Sequence, residues 1–336
     1  PANIRQVVLL LDAAVMAGVT VTARGAGTGL AGGALGDGLV LDFSRYNRQI
    51  TDLDLERRTV RVGPGVVLDQ LNNFLRPHKY WFGPDVATSS RATLGGMIAN
   101  NSSGAHAPIY GTTADHVQEL EVVLADGRVT LVGAKHDTLR KQRERVSDLL
   151  YFHGLSIAEQ RPPQLTKRWP GYAIERCAPE PNNLNPLLCG SEGTLAIIVA
   201  AELNIVPLPQ QKGLGLIFFA SVTEAMQATV ELLDLQPAAI EHLDRVLLDQ
   251  TKGQPRFQAA RDLLELDAKP CQSILAVEFF DDVEARLAAL ERRRLVRLIP
   301  GRTGRQLVRS LADRGLRTTA PPPRPRLQPP HSRPPP

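Results

Sequence analysis

The stretch VTARGAGTGLAGGAL, Val21 to Leu35, decides how the rest of the chain is read. Val19 to Ala23 reads as a short strand, and seven glycines follow in the fourteen residues from Gly25 to Gly38. Successive glycines let backbone N–H groups converge on a pyrophosphate with no side chain in the way. Thr28 adds a hydroxyl donor and Arg24 a charge-assisted one. The spacing Gly27-x-Gly29-x-x-Gly32 also fits the Rossmann dinucleotide pattern, which works only where a helix N-terminus follows the glycines. Here Ala31 to Gly38 holds four glycines, each about 1 kcal/mol worse than Ala in a helix. The apolar strand Leu39 to Phe43 then arrives too soon for a crossover helix. The Rossmann reading is rejected. Glycine-rich turns with no ligand stay open for this segment taken alone.

Outward from that loop, Ile4, Val7, Val8, Leu11 and Val15 predict a helix over 4–17, ended by Gly18. ITDLDLERRTVRV, Ile50 to Val62, alternates like an antiparallel hairpin with one wet face. Gly63-Pro64-Gly65 is a turn, Val67 to Leu75 a helix, and Thr93 to Ala99 the start of another. Asp126-Gly127 joins two strands, Leu120 to Leu124 and Val129 to Val132. A helix is expected over Leu139 to Leu150 and a long strand over Thr194 to Val206. From Gly213 a smaller α+β unit follows: strand Gly215 to Ala220, helix Val222 to Leu235, a helix or strand–helix over Ala239 to Leu248, strand Ile274 to Phe280, and a charged helix to about Leu298.

Charge is unevenly placed. The net charge is +4, but Glu291 to Pro336 holds twelve Arg, no Lys and two acids, a surplus of +10 that leaves the rest at −6. The basic balance therefore gives no argument for a nucleic-acid partner. Cys177, Cys189 and Cys271 form no CxxC pair, which removes zinc ribbons and iron–sulfur clusters from the reading and suits a reducing compartment. No metal site is expected. No run of eighteen apolar residues predicts a membrane span, and no signal peptide is expected. Nine of the sixteen residues from Pro321 are Pro, so no packed element is expected there. A disordered tail and a reading-frame shift or truncated gene are both open.

Two more small-residue segments stand beside the first. Gly83-Pro84-Asp85 leads to Thr93-Leu94-Gly95-Gly96-Met97-Ile98-Ala99-Asn100-Asn101-Ser102-Ser103-Gly104, where Leu94, Met97 and Ile98 are too apolar for a surface loop. Gly190-Ser191-Glu192-Gly193-Thr194-Leu195 runs straight into an apolar strand. Each taken singly is more often structural than functional.

In this order and spacing the segments resemble the FAD-binding domain of the vanillyl-alcohol-oxidase / p-cresol-methylhydroxylase (PCMH-type) superfamily. The nearest branch is the FAD-linked oxidases that act on D-lactate, glycolate or D-2-hydroxyglutarate. The matching phrases include RVGPGVVLDQLN (Arg61 to Asn72), FGPDVATSSRATLGGMIANNSSG (Phe82 to Gly104), YGTTADHVQELEVVLADG (Tyr110 to Gly127), GYAIE (Gly171 to Glu175), GSEGTLAII (Gly190 to Ile198) and EHLDR (Glu241 to Arg245). The wording is similar to two-part enzymes that join this domain to an iron–sulfur domain, and the likeness spans about residues 2 to 281.

The resemblance implies an α+β fold: a PCMH-type domain of two subdomains over 1–209 with FAD between them, a partial cap domain over 210–290, and the Arg/Pro-rich tail over 291–336. It implies that Arg24, Gly25, Ala26, Gly27, Thr28, Gly29 and Leu30 hold the pyrophosphate. Pro84, Asp85, Thr93, Leu94, Gly95, Gly96, Asn100, Asn101, Ser102 and Ser103 would line the diphosphate and isoalloxazine side, and Glu192, Gly193, Thr194, Leu195, Ile197 and Ile198 the adenine end. Many relatives hold FAD through a His in the first glycine loop; with Ala26 and Thr28 there instead, FAD is expected to be non-covalent. The implied reaction removes a hydride from a small D-2-hydroxy acid to flavin N5 while a base takes the hydroxyl proton.

The family's Glu-His-Gly-rich motif that carries the base is not found. His78, His106, His116, His136 and His153 read as surface or loop residues, and Lys167, Arg168 and Tyr172 are weak substrate-side candidates. Against the family pattern the chain lacks the first strands and departs shortly after Asp282, so an N- and C-terminally truncated chain is expected. A non-catalytic FAD-binding subunit and an inactive product are the alternatives. Expected partners are the hydroxy acid and an electron-acceptor or iron–sulfur protein. The expected location is the cytoplasm or the inner face of the membrane.

Overall fold

The computed structural model describes residues 1–160, 171–180 and 182–292. The chain divides into two compact units, one made by 1–210 with 238–241 and the other by 211–237 with the described residues from 242 on. Lys167, Arg168 and the tail from 293 lie outside the described residues.

The first unit opens with helix α1 (Ile4–Ala17), where the Asn3 side chain accepts the Gln6 N–H at the start and Gly18, at φ 66°, closes the end. Val7, Leu11 and Ala14 are its buried face, while Val15 is 64% exposed and lies off the expected apolar stripe. Strands β1 (Val21–Arg24) and β2 (Leu39–Asp42) pair in parallel, Arg24 opposite Asp42, with loop rather than helix between them. That is the arrangement the glycine count requires. The hairpin forms as β3 (Ile50–Asp54) and β4 (Thr59–Val62). Next come α2 (Leu68–Leu75), β5 (Tyr80–Trp81), α3 (Leu94–Ala99), α4 (Ala107–Tyr110), β6 (Val117–Val123) and β7 (Val129–Val132). Helix α5 (Arg140–Gln160) continues past the expected Leu150, and α6 (Asn185–Leu188), β8 (Ile197–Asn204) and β9 (Val206–Pro207) complete the unit.

Five strands form one antiparallel sheet in the order β3-β4-β8-β6-β7. On one face Val123, Ile197 and Val199 meet Val7 and Leu11 of α1 together with Leu41 and Phe43. On the other, Leu120, Val122, Ala201 and Leu203 meet Leu68, Leu71 and Leu75 of α2 and Leu94, Met97 and Ile98 of α3. Strand β8 serves both faces because its register against β6 skips Val199, Glu121 lying opposite Ala200 and Val122 opposite Ile198. That bulge flips the alternation, so Ile198 shares a face with Ala201 and Leu203. The wholly buried leucines are each worth about 1.5–3 kcal/mol relative to exposure.

The second unit carries β10 (Lys212–Phe219), α7 (Val222–Leu232), the last half of β11 (Ala239–Asp244), whose first three residues are grouped with the first unit, and α8 (Arg245–Gln250), α9 (Pro255–Leu263), β12 (Ser273–Phe280) and α10 (Val283–Arg292). Its sheet runs β10-β12-β11, with Lys212 opposite Phe280. A Cβ on Gly213 or Gly215 would stand 2.2 Å from Val283 Cγ1 or 2.5 Å from Leu290 Cδ2, so the two glycines let α10 lie against β10. The stretch from Ala239 resolves into a strand then a helix, and α9 adds an element that the sequence reading leaves out.

Candidate functional site

Within the first unit the three small-residue segments enclose one cleft of about 650 Å³. The β1–β2 loop supplies Arg24 to Leu30, and the turn before α2 supplies Pro64. Helix α3 supplies Thr93, Gly95, Gly96 and Met97, the turn after it Asn100 to Ser103, and the lead into β8 Glu192, Gly193, Ala196 and Ile198.

Close backbone approach explains the residue types. A Cβ on Gly25 would fall 2.2 Å from Thr93 Oγ1, and one on Gly95 would fall 2.6 Å from Pro64 Cβ. The Gly95 N–H donates to Pro64 O at 2.9 Å and Leu94 N–H to Val66 O at 2.8 Å, which fixes α3 on the 63–66 turn. At the other end of α3, Gly190 N–H donates to Ile98 O at 3.0 Å and Glu192 N–H to Ala99 O at 2.9 Å. Asn101 and Glu192 both take left-handed backbone conformations, at φ 48° and 53°. Strained non-glycine turns of that kind concentrate where a ligand is held.

Three polar atoms in this lining are buried and have no hydrogen-bond partner: Arg24 Nε, Thr93 Oγ1 and Ser103 Oγ. The Arg24 guanidinium lies 3.9 Å from Asp42 Oδ2, an ion-pair distance too long for a hydrogen bond. Each orphaned group costs about 1–3 kcal/mol, and three around one cleft are groups awaiting a polar ligand. Burial pushes the Asp42 carboxyl up, but hydrogen bonds from Ser44 and the Arg24 charge outweigh it and leave it below its ordinary range. Burial pushes Glu192, on the cleft wall, up. A glycine-walled slot with one guanidinium and unused hydroxyl donors fits a dinucleotide such as FAD, whose pyrophosphate takes such donors.

The segments predicted to meet do meet, with exceptions. Leu94 is wholly buried in the core, Pro84 is buried, and Ile197 packs with α1 on the far face of the sheet. Thr194 and Leu195 are exposed beside the cleft rather than in its lining. Asp85 turns instead to His106. Lining residues absent from the sequence-based set include Pro64, Val86, Thr88, Met97 and Ala196. Pro64 had a signal in the Gly63-Pro64-Gly65 turn and Met97 in its apolar place among small residues, while Val86, Thr88 and Ala196 lie inside the quoted phrases with no side-chain feature that marks them.

Tyr172 is 54% exposed and its hydroxyl lies 2.6 Å from Thr194 Oγ1. Thr194 Oγ1 itself donates to Ser191 O at 2.6 Å, so the Tyr172 hydroxyl donates to Thr194 and keeps only acceptor capacity. His106 and His116, expected as surface or loop residues, are buried, at 8% and 6% exposure. The rings of Trp81, Phe82 and Tyr110 close over them. Burial pushes the Cys177 and Cys189 thiols up to about 11 and about 12, so neither is a thiolate at neutral pH. Among the described residues no group of three or more His, Cys, Asp or Glu could hold a metal ion, and no helix is long and apolar enough to cross a membrane.

Comparison with known proteins bears on the same segments. The family described as FAD binding domain matches residues 1–133. The chain is 34% identical over 292 residues to a D-2-hydroxyglutarate dehydrogenase of Pseudomonas putida, covering 81% of this chain and 28% of that protein. It is 32% identical over 248 residues to a D-lactate dehydrogenase of Archaeoglobus fulgidus, covering 73% and 46%. It is 31% identical over 258 residues to the glycolate oxidase subunit GlcD of Bacillus subtilis, covering 74% and 46%. This chain thus spans less than half the length of each of these relatives. An alkyldihydroxyacetonephosphate synthase structure superposes with a TM-score of 0.61 at 17% identity, over 87% of this chain and 49% of that one, which shows a shared fold. Residues 1–133 thus match the FAD binding domain family, and most of the chain is similar to part of relatives named D-2-hydroxyglutarate dehydrogenase, D-lactate dehydrogenase and glycolate oxidase subunit GlcD.

Proposed function

We propose that the cleft holds FAD non-covalently and that the chain is the flavin-binding part of an enzyme oxidising a small D-2-hydroxy acid. The observation that carries this is the set of three buried polar atoms without a hydrogen-bond partner, Arg24 Nε, Thr93 Oγ1 and Ser103 Oγ, around one glycine-walled slot. In this reading Arg24 and the amides of Gly25 to Leu30 bind the pyrophosphate, and the Thr93 and Ser103 hydroxyls complete its shell or that of the ring. Glu192 and Gly193 border the adenine end. Phe43, Met97 and Ile198 supply apolar wall, which excludes water and strengthens the polar contacts beside it. Bound FAD supplies the acceptor for the hydride that leaves the substrate α-carbon. The loop holds Ala26 and Thr28 and no His, so the histidine that links FAD in many relatives is missing here.

On the substrate side Lys167, Arg168 and Tyr172 remain the candidates in this chain, the two cations for the carboxylate and Tyr172 as an acceptor. An electron-acceptor or iron–sulfur partner would reoxidise the flavin. The test is anaerobic: the FAD-loaded chain is mixed in turn with D-2-hydroxyglutarate, D-lactate and glycolate while the visible flavin band is followed. Bleaching by one of them is expected. A bound flavin that dithionite bleaches and all three acids leave oxidised would contradict substrate oxidation by this chain and favour a binding subunit.

A further inference from the structure

Asp85 and His106 stand 21 residues apart, with α3 between them, yet they meet twice. His106 Nδ1 lies 2.7 Å from Asp85 Oδ2, and the His106 backbone N–H donates to Asp85 Oδ1 at 3.3 Å. The backbones also touch: a Cβ on Gly104 would fall 1.5 Å from Asp85 O, so only glycine fits there. The His106 side chain is 10% exposed and Asp85's 33%, and the rings of Trp81 and Tyr110 wall the imidazole at 6.3 Å and 6.5 Å between centroids. Neither residue lines the cleft, but their neighbours on both sides do: Val86 and Thr88 follow Asp85, and Ser102 and Ser103 precede Gly104.

We propose that the Asp85–His106 pair is a positioning clasp for the cofactor cleft, holding the wall of Val86 and Thr88 against the wall of Ser102 and Ser103 so that the Ser103 hydroxyl is set in place before FAD arrives. The proposal rests on the reading that this cleft binds FAD. Burial pushes the Asp85 carboxyl up, but the hydrogen bonds and charge of His106 outweigh it and hold it below its ordinary range. The carboxylate is therefore ionised at neutral pH, Nδ1 carries the proton, and the bond is charge-assisted. An exposed ion pair would fix little. This pair is largely shielded, doubled by a backbone N–H and locked by a glycine contact, so its loss frees two loops at once.

The test compares the full chain with His106→Leu, His106→Asn and Asp85→Asn. Readouts are the FAD dissociation constant, the visible circular dichroism of bound flavin, and thermal melting without FAD. Asn can place an amide donor where Nδ1 stands, and Leu cannot. We expect His106→Leu and Asp85→Asn to weaken FAD binding about tenfold, the worth of one charge-assisted hydrogen bond, and to alter the flavin dichroism. His106→Asn should restore both to near wild type. Unchanged affinity and dichroism in a folded His106→Leu would overturn the clasp, as would equal loss in the Leu and Asn variants, which would mean packing alone. Should His106→Leu not fold, unchanged affinity in Asp85→Asn overturns it equally. A folded wild type that binds no FAD is a different result, which removes the cleft assignment and the clasp with it.

Discussion

Thr93 is 2% exposed, starts a helix without capping it, and keeps a hydroxyl that no protein group takes up. Function and stability should therefore separate at this residue. Thr93→Val removes the orphaned hydroxyl at nearly constant shape, so the FAD-free protein should gain about 1 kcal/mol in chemical denaturation while FAD binding weakens. Loss of stability with unchanged FAD affinity would mean that the hydroxyl serves the fold. Gly27 sits at φ 66°, and a Cβ there would stand 3.0 Å from Arg24 Nη2. Gly27→Glu would strain that turn and set a carboxylate against the guanidinium that the pyrophosphate needs, so purified protein should carry no flavin. Normal flavin content in that variant would refute the loop assignment. Arg24 to Leu30 was legible because glycine runs limit what a backbone can do. His106 and His116 were not, because their burial comes from Trp81, Phe82 and Tyr110, which only the fold brings near. Leu94 and Ile197 lie inside the motifs, but the buried face of α3 takes Leu94 into the core and the alternation of β8 takes Ile197 there.

At the scale of elements, period and punctuation carried most of the reading. Helix α1, the β3–β4 and β6–β7 hairpins, and the parallel β1–β2 pair without a helix follow from apolar spacing, Asp126-Gly127 and glycine density. Helix α9 did not, since PRFQAARDL has no apolar stripe; it is anchored instead by Arg261, 3% exposed and bonded to Leu248 O, Thr251 Oγ1 and Asp267. The β8 bulge at Val199 was equally silent, because it depends on register against β6. Asn3 gives a direct check on α1: Asn3→Ala removes the acceptor of the Gln6 N–H and should cost about 1 kcal/mol in denaturant unfolding. FAD affinity should hardly move, because α1 packs on the opposite face of the sheet from α3. A large loss of FAD affinity would place α1 in the site.

For the molecule as a whole, acid should act through paired carboxylates. Burial pushes Asp115 up, but hydrogen bonds from Thr112 and the Arg176 charge hold it below its ordinary 3.8, and Asp85 behaves likewise beside His106. A depressed folded value means that the stability these groups add is present above 3.8 and is lost as pH falls through the folded values. Burial gives Glu192 the opposite sign: raised above 4.5, it costs stability once ionised. The melting temperature should therefore hold or rise slightly from pH 7 towards 5 and fall steeply below 3.8. A steady decline from pH 7 to 5 would contradict this balance.

The claim beneath all of this is that backbone amides and three unused polar side-chain atoms around one cleft grip a flavin dinucleotide. Titration of the purified chain with FAD, followed by quenching of flavin fluorescence, tests it most directly. The account predicts saturation at a single equivalent per chain, and none in Gly27→Glu. A folded wild-type chain that leaves the fluorescence of added FAD unchanged at every ratio would contradict it.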